Sequence, residues 1–409
     1  MKLLYRIILD LYFLIIVFSS LFNKKARTWL VGRVNIFGQI SRKIRPDEKI
    51  IWFHCASLGE FEQGRPVIER IRELRKDWKV LITFFSPSGY EIRKDYPQAD
   101  YVFYLPLDFK RNARKFINLV NPAVAVFIKY EFWYNYISEL DRRGIPVYGI
   151  STVFRDGQLF FRWYGKPYKK ILFHFTHFFV QDEHSRELLE GIGYHNVTVA
   201  GDTRFDRVSC IASRAADIPV ANNFAGEQWV VVAGSTWKED EDLLIPLINT
   251  APGLRWIIAP HEIHEGHLER LEKSIKRPAI RFSAATRQPV NNQEVLIIDN
   301  VGMLSSLYRY GKIAYIGGGF GKGIHNILEA AVYGIPVLFG PNYKKFREAL
   351  DLISLGGAFP VHNSVEIFSV IKRFIDDNQI LVTSGNVCMN YVNNSVGATA
   401  KIVEKLMKD

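Results

Sequence analysis

The sequence predicts an α/β protein: two consecutive open, parallel-sheet domains behind an amino-terminal membrane-anchoring helix. Three observations carry this. From residue 50 onward, short apolar runs alternate with segments of helical period, the pattern of parallel strands joined by crossover helices. The rhythm breaks over residues 207–227 and then restarts. A chain of 409 residues also exceeds what one ordinary hydrophobic core organises.

The first element differs in kind from the rest. Residues 3–22, LLYRIILDLYFLIIVFSSLF, are apolar except for Tyr5, Arg6, Asp10, Tyr12, Ser19 and Ser20. A stretch of this length can cross a bilayer, although a central charge costs about 2.5–3.5 kcal/mol. Arg6 lies near one end and can snorkel, whereas Asp10 lies deeper. SSLFNKKARTWL lacks a clear small-residue cleavage site, so residues 1–22 read as an uncleaved anchor that spans the bilayer or lies in its interface. A buried core helix is the competing reading. The cations that follow, Lys24, Lys25, Arg27, Arg33, Arg42, Lys43 and Arg45, keep the remainder in the cytoplasm by the positive-inside rule.

IIWFHC, KVLITFF, YVFYLPL, AVAVFIKY, IPVYGIS, HFFVQ and NVTVAG then read as strands, rich in β-branched and aromatic residues. RPVIERIRELRK and DEHSRELLEGIG are helices between them. Residues 207–227 look like an interdomain linker. WVVVAGS, LRWIIAP, EVLIID, KIAYIGG and IPVLFG restart the strands, and GATAKIVEKLMKD is a helix returning toward the first domain. The boundaries expected are 1–22, 23–215, 216–390 and 391–409.

Composition narrows the function. The formal charge of +11 favours an anionic partner: nucleic acid, a phospholipid surface or a phosphorylated substrate. Nucleic-acid signatures are missing and the basic runs adjoin the anchor, so nucleic acid is set aside. Cys55, Cys210 and Cys388 stand far apart, which argues against a disulfide framework or a zinc site and for a reducing compartment.

Several strand ends carry polar residues. After the first strand, Ser57 and Glu60 form S-x-x-E, a helix-capping box. The same Glu60 stands at the carboxyl end of a strand, where α/β sheets bind ligands, and both readings remain open. In the second half, YIGGGFGKGIHNILEA runs from a strand through a glycine turn into a helix expected to begin near Asn326. Glycines allow close backbone approach, a helix start presents N–H groups to phosphate, and Glu329 could accept from ribose hydroxyls; a purely structural glycine turn is the alternative. Walker A fails because Ile316 and Gly323 occupy its required positions, and G-x-G-x-x-G fails at Ile324. Ser235 and Thr236 follow another strand, and His261 a third. His261, His264 and His267 are each three apart, not the H-E-x-x-H of a metal helix, and no metal is expected. A G-x-S-x-G elbow is also missing, leaving a hydrolase triad without support.

HCASLGE, YEFWYN, GDTRFD, VVAGST, APHE, DNVGM and GIHNILEAAVYGIPVLFGP occur in this order. Together they resemble the 3-deoxy-D-manno-octulosonic acid (Kdo) transferases of lipopolysaccharide synthesis, over roughly residues 50–360. The resemblance implies the GT-B architecture, two Rossmann-like domains facing across a cleft, the first taking the acceptor and the second the CMP-sugar. It implies inverting, metal-independent and cofactor-free transfer of Kdo from CMP-Kdo to a phosphorylated lipid A precursor (lipid IVA) at the inner membrane.

Residue by residue, Glu60 matches the family's catalytic base and Arg204 a basic transition-state stabiliser, usually Lys. Lys129 replaces the first carboxylate of the family's ETELWPN, and Glu131 keeps the second. Pro260 and His261 match a CMP-contacting pair in which Arg usually follows the proline. Val301, Gly302 and Met303 match another nucleotide contact, and Asn326, Ile327, Leu328 and Glu329 a third. Ser235 and Thr236 join the CMP set by position. Lys110, Arg111, Arg114 and Lys115, or Lys166, Lys169 and Lys170, could meet the lipid phosphates. Because none of the catalytic candidates lies in residues 1–22, removing them is expected to spare activity on detergent-dispersed acceptor. The alternative is another enzyme of this architecture, a UDP-sugar glycosyltransferase or epimerase, which a donor screen separates.

Overall fold

A computed structural model describes residues 2–290 and 292–408. Met1 and Asp409, at the ends of the expected anchor and last helix, lie outside the described residues, as does the Lys166 side chain. The chain divides into two compact units: residues 1–207 with 396–409, and residues 208–395.

The first unit is a seven-stranded parallel sheet. Its strands are β1 (Ile50–Cys55), β2 (Lys79–Phe84), β3 (Tyr101–Tyr104), β4 (Val124–Ile128), β5 (Val147–Thr152), β6 (His177–Val180) and β7 (Val197–Val199). The spatial order is β3-β2-β1-β4-β5-β6-β7. All six residues of β1 are buried, as a sheet covered on both faces requires. Successive residues feed opposite cores: Ile50 and Trp52 pack with Phe116 and Phe127, while Ile51, Phe53 and Cys55 pack with Phe61 and Ile68. The helix Leu58–Leu74 lies close against β4, because a Cβ on Gly64 would come within 2.1 Å of the Ile128 side chain.

The second unit repeats the plan with β8 (Trp229–Thr236), β9 (Leu254–Pro260), β10 (Ala279–Arg281), β11 (Val295–Ile297), β12 (Ile313–Ile316), β13 (Val337–Phe339) and β14 (Ala358–Pro360). Their order is β10-β11-β9-β8-β12-β13-β14, again parallel. In each sheet the strand order reverses beside its first strand, between β1 and β4 and between β8 and β12. Open α/β sheets hold ligands at the carboxyl ends of such switch points.

Four expectations change. The stretch 207–227 is mostly helical, with helices Thr203–Arg214 and Pro219–Ala225, and the first unit ends at Arg207 inside the first of these, not at residue 215. The edge strands β10 and β14 went unread. The helix expected near Asn326 is a single turn, Leu328–Ala331. The second unit runs to Ser395 through the helix Asn378–Asn393, not to residue 390, while the returning helix expected from GATAKIVEKLMKD is Ala398–Lys408 and packs Ala398, Ile402, Val403 and Leu406 into the first unit's core. The Asp206 carboxylate accepts from the Gly397 and Thr399 N–H groups at 2.6 and 2.8 Å, fastening this return.

The amino-terminal helix, Lys2–Ser19, is followed by a second, Lys24–Val31. Among the described residues no single helix is long and apolar enough to cross a membrane; Leu4–Ser19 and Lys24–Val31 pass that test only together and are bent by 120°. Tyr5, Leu9 and Ile16 pack against Trp29, Phe85 and Leu107 of the first unit, spaced as one helical face. Leu4, Ile7, Leu11, Leu14, Ile15 and Phe18 stay exposed on the other. Two of the basic residues are tied to backbone: Arg27, itself exposed, donates to the Ser20 and Leu21 carbonyls, closing the turn between the helices. Arg33 donates to Trp29, Phe85 and Leu105 carbonyls and lies 3.8 Å over the Trp29 ring.

Candidate active site

In the first unit, the β1 and β4 ends bring three charged groups together. Glu60 sits in the first turn of the helix after β1, and its carboxylate reaches back to the N–H groups of Ala56 (2.5 Å) and Ser57 (3.2 Å). Its capping duty is therefore real. Burial, and then the negative charge of Glu131, push its pKa up to about 7, against the lowering pull of those two N–H groups and of Lys129. A carboxylate that is half protonated near neutrality is suited to take a proton in a reaction at that pH.

Glu131 is held by two side chains that sequence reasoning did not single out. Trp133 Nε1–H donates to its Oε2 at 2.5 Å, and His54 Nε2 lies 3.2 Å from the same oxygen. His54 is fully buried and its Nδ1 meets Thr83 Oγ1 at 2.8 Å. A histidine embedded in an apolar strand was the available signal. Lys129 directly follows β4 with φ of 66°, a left-handed conformation costly for a side-chain-bearing residue, and such strain gathers where chain direction serves a site. Arg204, the remaining catalytic candidate, starts the helix Thr203–Arg214 and has its guanidinium paired with Asp202 at 2.7 Å.

In the second unit, the ends of β8, β9 and β12 meet. Ser235 has φ of 53° at an irregularity in β8 pairing between Gly234 and Thr236. Trp237 stacks on His261 at 4.4 Å between centroids, and His261 on His325 at 4.6 Å. Trp237 Nε1–H donates to His325 Nε2 at 3.0 Å; since indole N–H only donates, His325 Nε2 must be an unprotonated acceptor. Burial and the neighbouring His261 hold the His325 pKa down to about 4, in agreement with a neutral ring. Buried Asp240 ties the loops together, accepting from the Trp237 and Gly318 N–H groups (2.9 and 2.8 Å) and from Tyr315 Oη (2.8 Å).

The other expected nucleotide contacts divide. Thr236 is fully buried with its hydroxyl on Glu241, and Pro260 closes β9. Ile327 and Leu328 are core residues, leaving only backbone to a ligand. Asn326 caps the short turn by accepting from Leu328 N–H and donates to Glu329 at 3.1 Å. Val301 is 87% exposed, in the loop after β11 with Gly302 and Met303. The glycines are partly structural: a Cβ on Gly317 would meet Ser235 O at 2.2 Å, and one on Gly319 would meet Gly340 N at 2.5 Å. Glu262, His264 and His267 have donor atoms within 4.8 Å of one another, but His267 Nε2 is engaged by Glu241 at 2.9 Å and Arg270 lies beside it.

Glu60, its pKa raised to about 7 at one switch point, and a stacked ring cradle at the other are the equipment of a group-transfer enzyme; the class is a glycosyltransferase of two Rossmann-like units. Residues 33–207 match the family model described as 3-deoxy-D-manno-octulosonic-acid transferase (kdotransferase). The 3-deoxy-D-manno-octulosonic acid transferase of Rickettsia bellii (strain RML369-C) is 24% identical over 98% of this chain and 94% of its own. That of Aquifex aeolicus (strain VF5) is 26% identical over 80% and 86%. Over most of its length the chain is thus similar to these transferases. For the fold alone, UDP-GlcNAc 2-epimerase from Neisseria meningitidis superposes with a TM-score of 0.61 at 17% identity, over 88% of this chain and 100% of that one.

Proposed function

We propose that this chain transfers Kdo from CMP-Kdo to lipid IVA, with inversion at the anomeric carbon and without a metal. The observation that carries the proposal is the Glu60 carboxylate, held beside Glu131 at the switch point with its pKa raised to about 7. In the proposed step an acceptor hydroxyl attacks the anomeric carbon of Kdo while Glu60 takes its proton. The bond from that carbon to the CMP phosphate oxygen breaks, and the electron pair leaves with CMP. A single displacement of this kind needs one base on the acceptor side and positive or dipolar support for the departing phosphate.

Lys129 and Glu131 tune Glu60, and Arg204 is assigned to the developing charge. In the second unit, His261, stacked against Trp237 and His325, is assigned to cytidine or phosphate contact. Ser235, the backbone at Ile327 and Leu328, and the side chains of Asn326 and Glu329 complete that assignment, with Gly302 and its neighbours at the rim. The enzyme would act on the cytoplasmic side of the inner membrane, where the exposed apolar face of the Lys2–Ser19 helix enters the headgroup region. Lys24 and Lys25, and the exposed Lys110 and Arg111, would face anionic lipid, each basic residue near the surface contributing about 1 kcal/mol.

The test is to incubate the full chain with CMP-Kdo and lipid IVA, count added sugars by mass spectrometry and read the new anomeric configuration by NMR. Transfer that survives chelation is expected. Transfer only from UDP-sugars would replace this reading with the other enzymes of the architecture.

A further inference from the structure

The amino-terminal helix reaches the acid pair along two separate routes. On the first, Tyr5 Oη–H donates to Asp108 Oδ2 at 2.7 Å. Asp108 is fully buried, and the same carboxylate accepts from the N–H groups of Asn135 (2.9 Å) and Tyr136 (3.0 Å). Those are in the first turn of the helix Tyr134–Arg142, which starts directly after Glu131-Phe132-Trp133. The Tyr5 ring also lies edge-on to Tyr134 at 5.9 Å. On the second route, Tyr12 stacks on Phe85 at 6.2 Å and Phe85 packs on Trp133 at 4.7 Å. Trp133 is the donor that holds Glu131.

We infer that the Lys2–Ser19 helix is a positioning element of the active site as well as a membrane contact, with Tyr5 and Asp108 as positioning residues that hold Glu131 opposite Glu60. The physical argument is that a buried carboxylate needs donors. Without Tyr5, Asp108 keeps only the two backbone donors and the Asn135 amide, which also donates to its carbonyl. Without the whole helix, Phe85 and Trp29 lose their cover as well. The loop that carries Lys129 and Glu131 then loses its brace. This reverses the expectation that residues 1–22 are dispensable once the acceptor is dispersed in detergent. The inference rests on the reading of Glu60 as the base.

Tyr5→Phe removes one hydroxyl and keeps the packing. On detergent-dispersed lipid IVA it is expected to lower kcat about tenfold, the scale of one hydrogen bond lost from a buried acceptor, with KM for CMP-Kdo unchanged. It should also move the acid limb of the pH–rate profile to lower pH. The groups that face Glu60 are Glu131, Lys129 and Tyr130 from the β4 loop and Cys55 from β1. Of these, Glu131 raises the Glu60 pKa, so a loosened Glu131 lets it fall. Asp108→Asn should act in the same direction and further. Thermal melting and CMP-Kdo binding serve as checks that each variant is folded.

The titration of the Glu60 carboxyl, followed by carbon-13 NMR in the wild type and Tyr5→Phe, reads the coupling without any turnover. A lower Glu60 pKa in the variant supports the inference. Wild-type kcat, acid limb and Glu60 titration in both Tyr5→Phe and the 1–22 deletion would overturn it. A wild-type chain that transfers no Kdo would instead overturn the reading of the reaction, and the NMR comparison would still decide the coupling.

Discussion

Replacing Glu60 by glutamine separates the two duties of this side chain. Glutamine keeps the length and an acceptor oxygen for the Ala56 and Ser57 N–H groups, but cannot take a proton. Turnover should fall by about 10²–10⁴, the usual contribution of a positioned base. Stability should move the other way at alkaline pH. Holding a carboxyl whose ordinary pKa is 4.5 at about 7 costs about 3 kcal/mol when it is ionised, at 1.36 kcal/mol per pH unit. The sign follows from proton binding: between pH 4.5 and 7 the folded state holds the extra proton, so stability declines as pH rises and the full cost applies above 7. Glutamine escapes that cost and gives up about 1 kcal/mol of charged capping. A net gain of about 2 kcal/mol is thus expected at pH 8, and it should be gone below pH 4.5. The assays are kcat with CMP-Kdo and detergent-dispersed acceptor, and melting curves at pH 8 and pH 4.5. Near-normal turnover would leave Glu60 only its cap, and an equal change in Tm at both pH values would refute the raised pKa.

Lys129→Glu places a third carboxylate beside Glu60 and Glu131, so the acid limb of the rate profile should move to higher pH and turnover should change strongly; an unchanged profile would show that position 129 is not used. Gly317→Ala should cost at least about 2 kcal/mol of stability in a denaturant titration, because its Cβ would stand 2.2 Å from Ser235 O and the backbone must move. Trp237→Phe keeps a ring for stacking but loses the hydrogen bond to His325, and calorimetry should find CMP-Kdo bound about tenfold more weakly; unchanged binding would remove the stack from the donor site. Deleting residues 1–22 should weaken cosedimentation with anionic liposomes, and full sedimentation of the truncated chain at high salt would refute the membrane contact.

The parallel strands were legible because both faces of each sheet are covered, so IIWFHC and WVVVAGS appear as unbroken apolar runs. β10 and β14 escaped for the opposite reason: AIR and AFP are three-residue edge strands whose pairing is set by β11 and β13, with no period of their own. The helices at 203–225 were hidden by mixed polarity, their register being fixed at a distance, as where Ile218 N–H donates to Tyr310 Oη. The glycine turn was visible, but its partners were not. Nothing in YIGGGFG says that Gly317 and Gly319 face the backbone of Ser235 and Gly340. Glu60 could be singled out as a strand-end carboxylate in a known motif, whereas its elevated pKa depends on Glu131, 71 positions later, and so needed the fold. The importance of Asp108 was least visible of all, since its donor Tyr5 is 103 positions away.

The return of the last helix to the first unit has a consequence for how the chain is made. A ribosome releases residues 1–207 long before Ala398–Lys408, yet Ala398, Ile402, Val403 and Leu406 are part of the core around Ile51 and Phe61. Until they arrive, the nascent first unit must wait with an open apolar seam, and the second unit, residues 208–395, has all of its own parts first. Synthesis order and completion order are thus inverted relative to the usual amino-terminal-first sequence. A chain stalled near residue 395 would carry a finished second unit and an unfinished first one, with Asp206 still without its Gly397 and Thr399 donors. Apolar surface left open in this way favours aggregation until synthesis is completed.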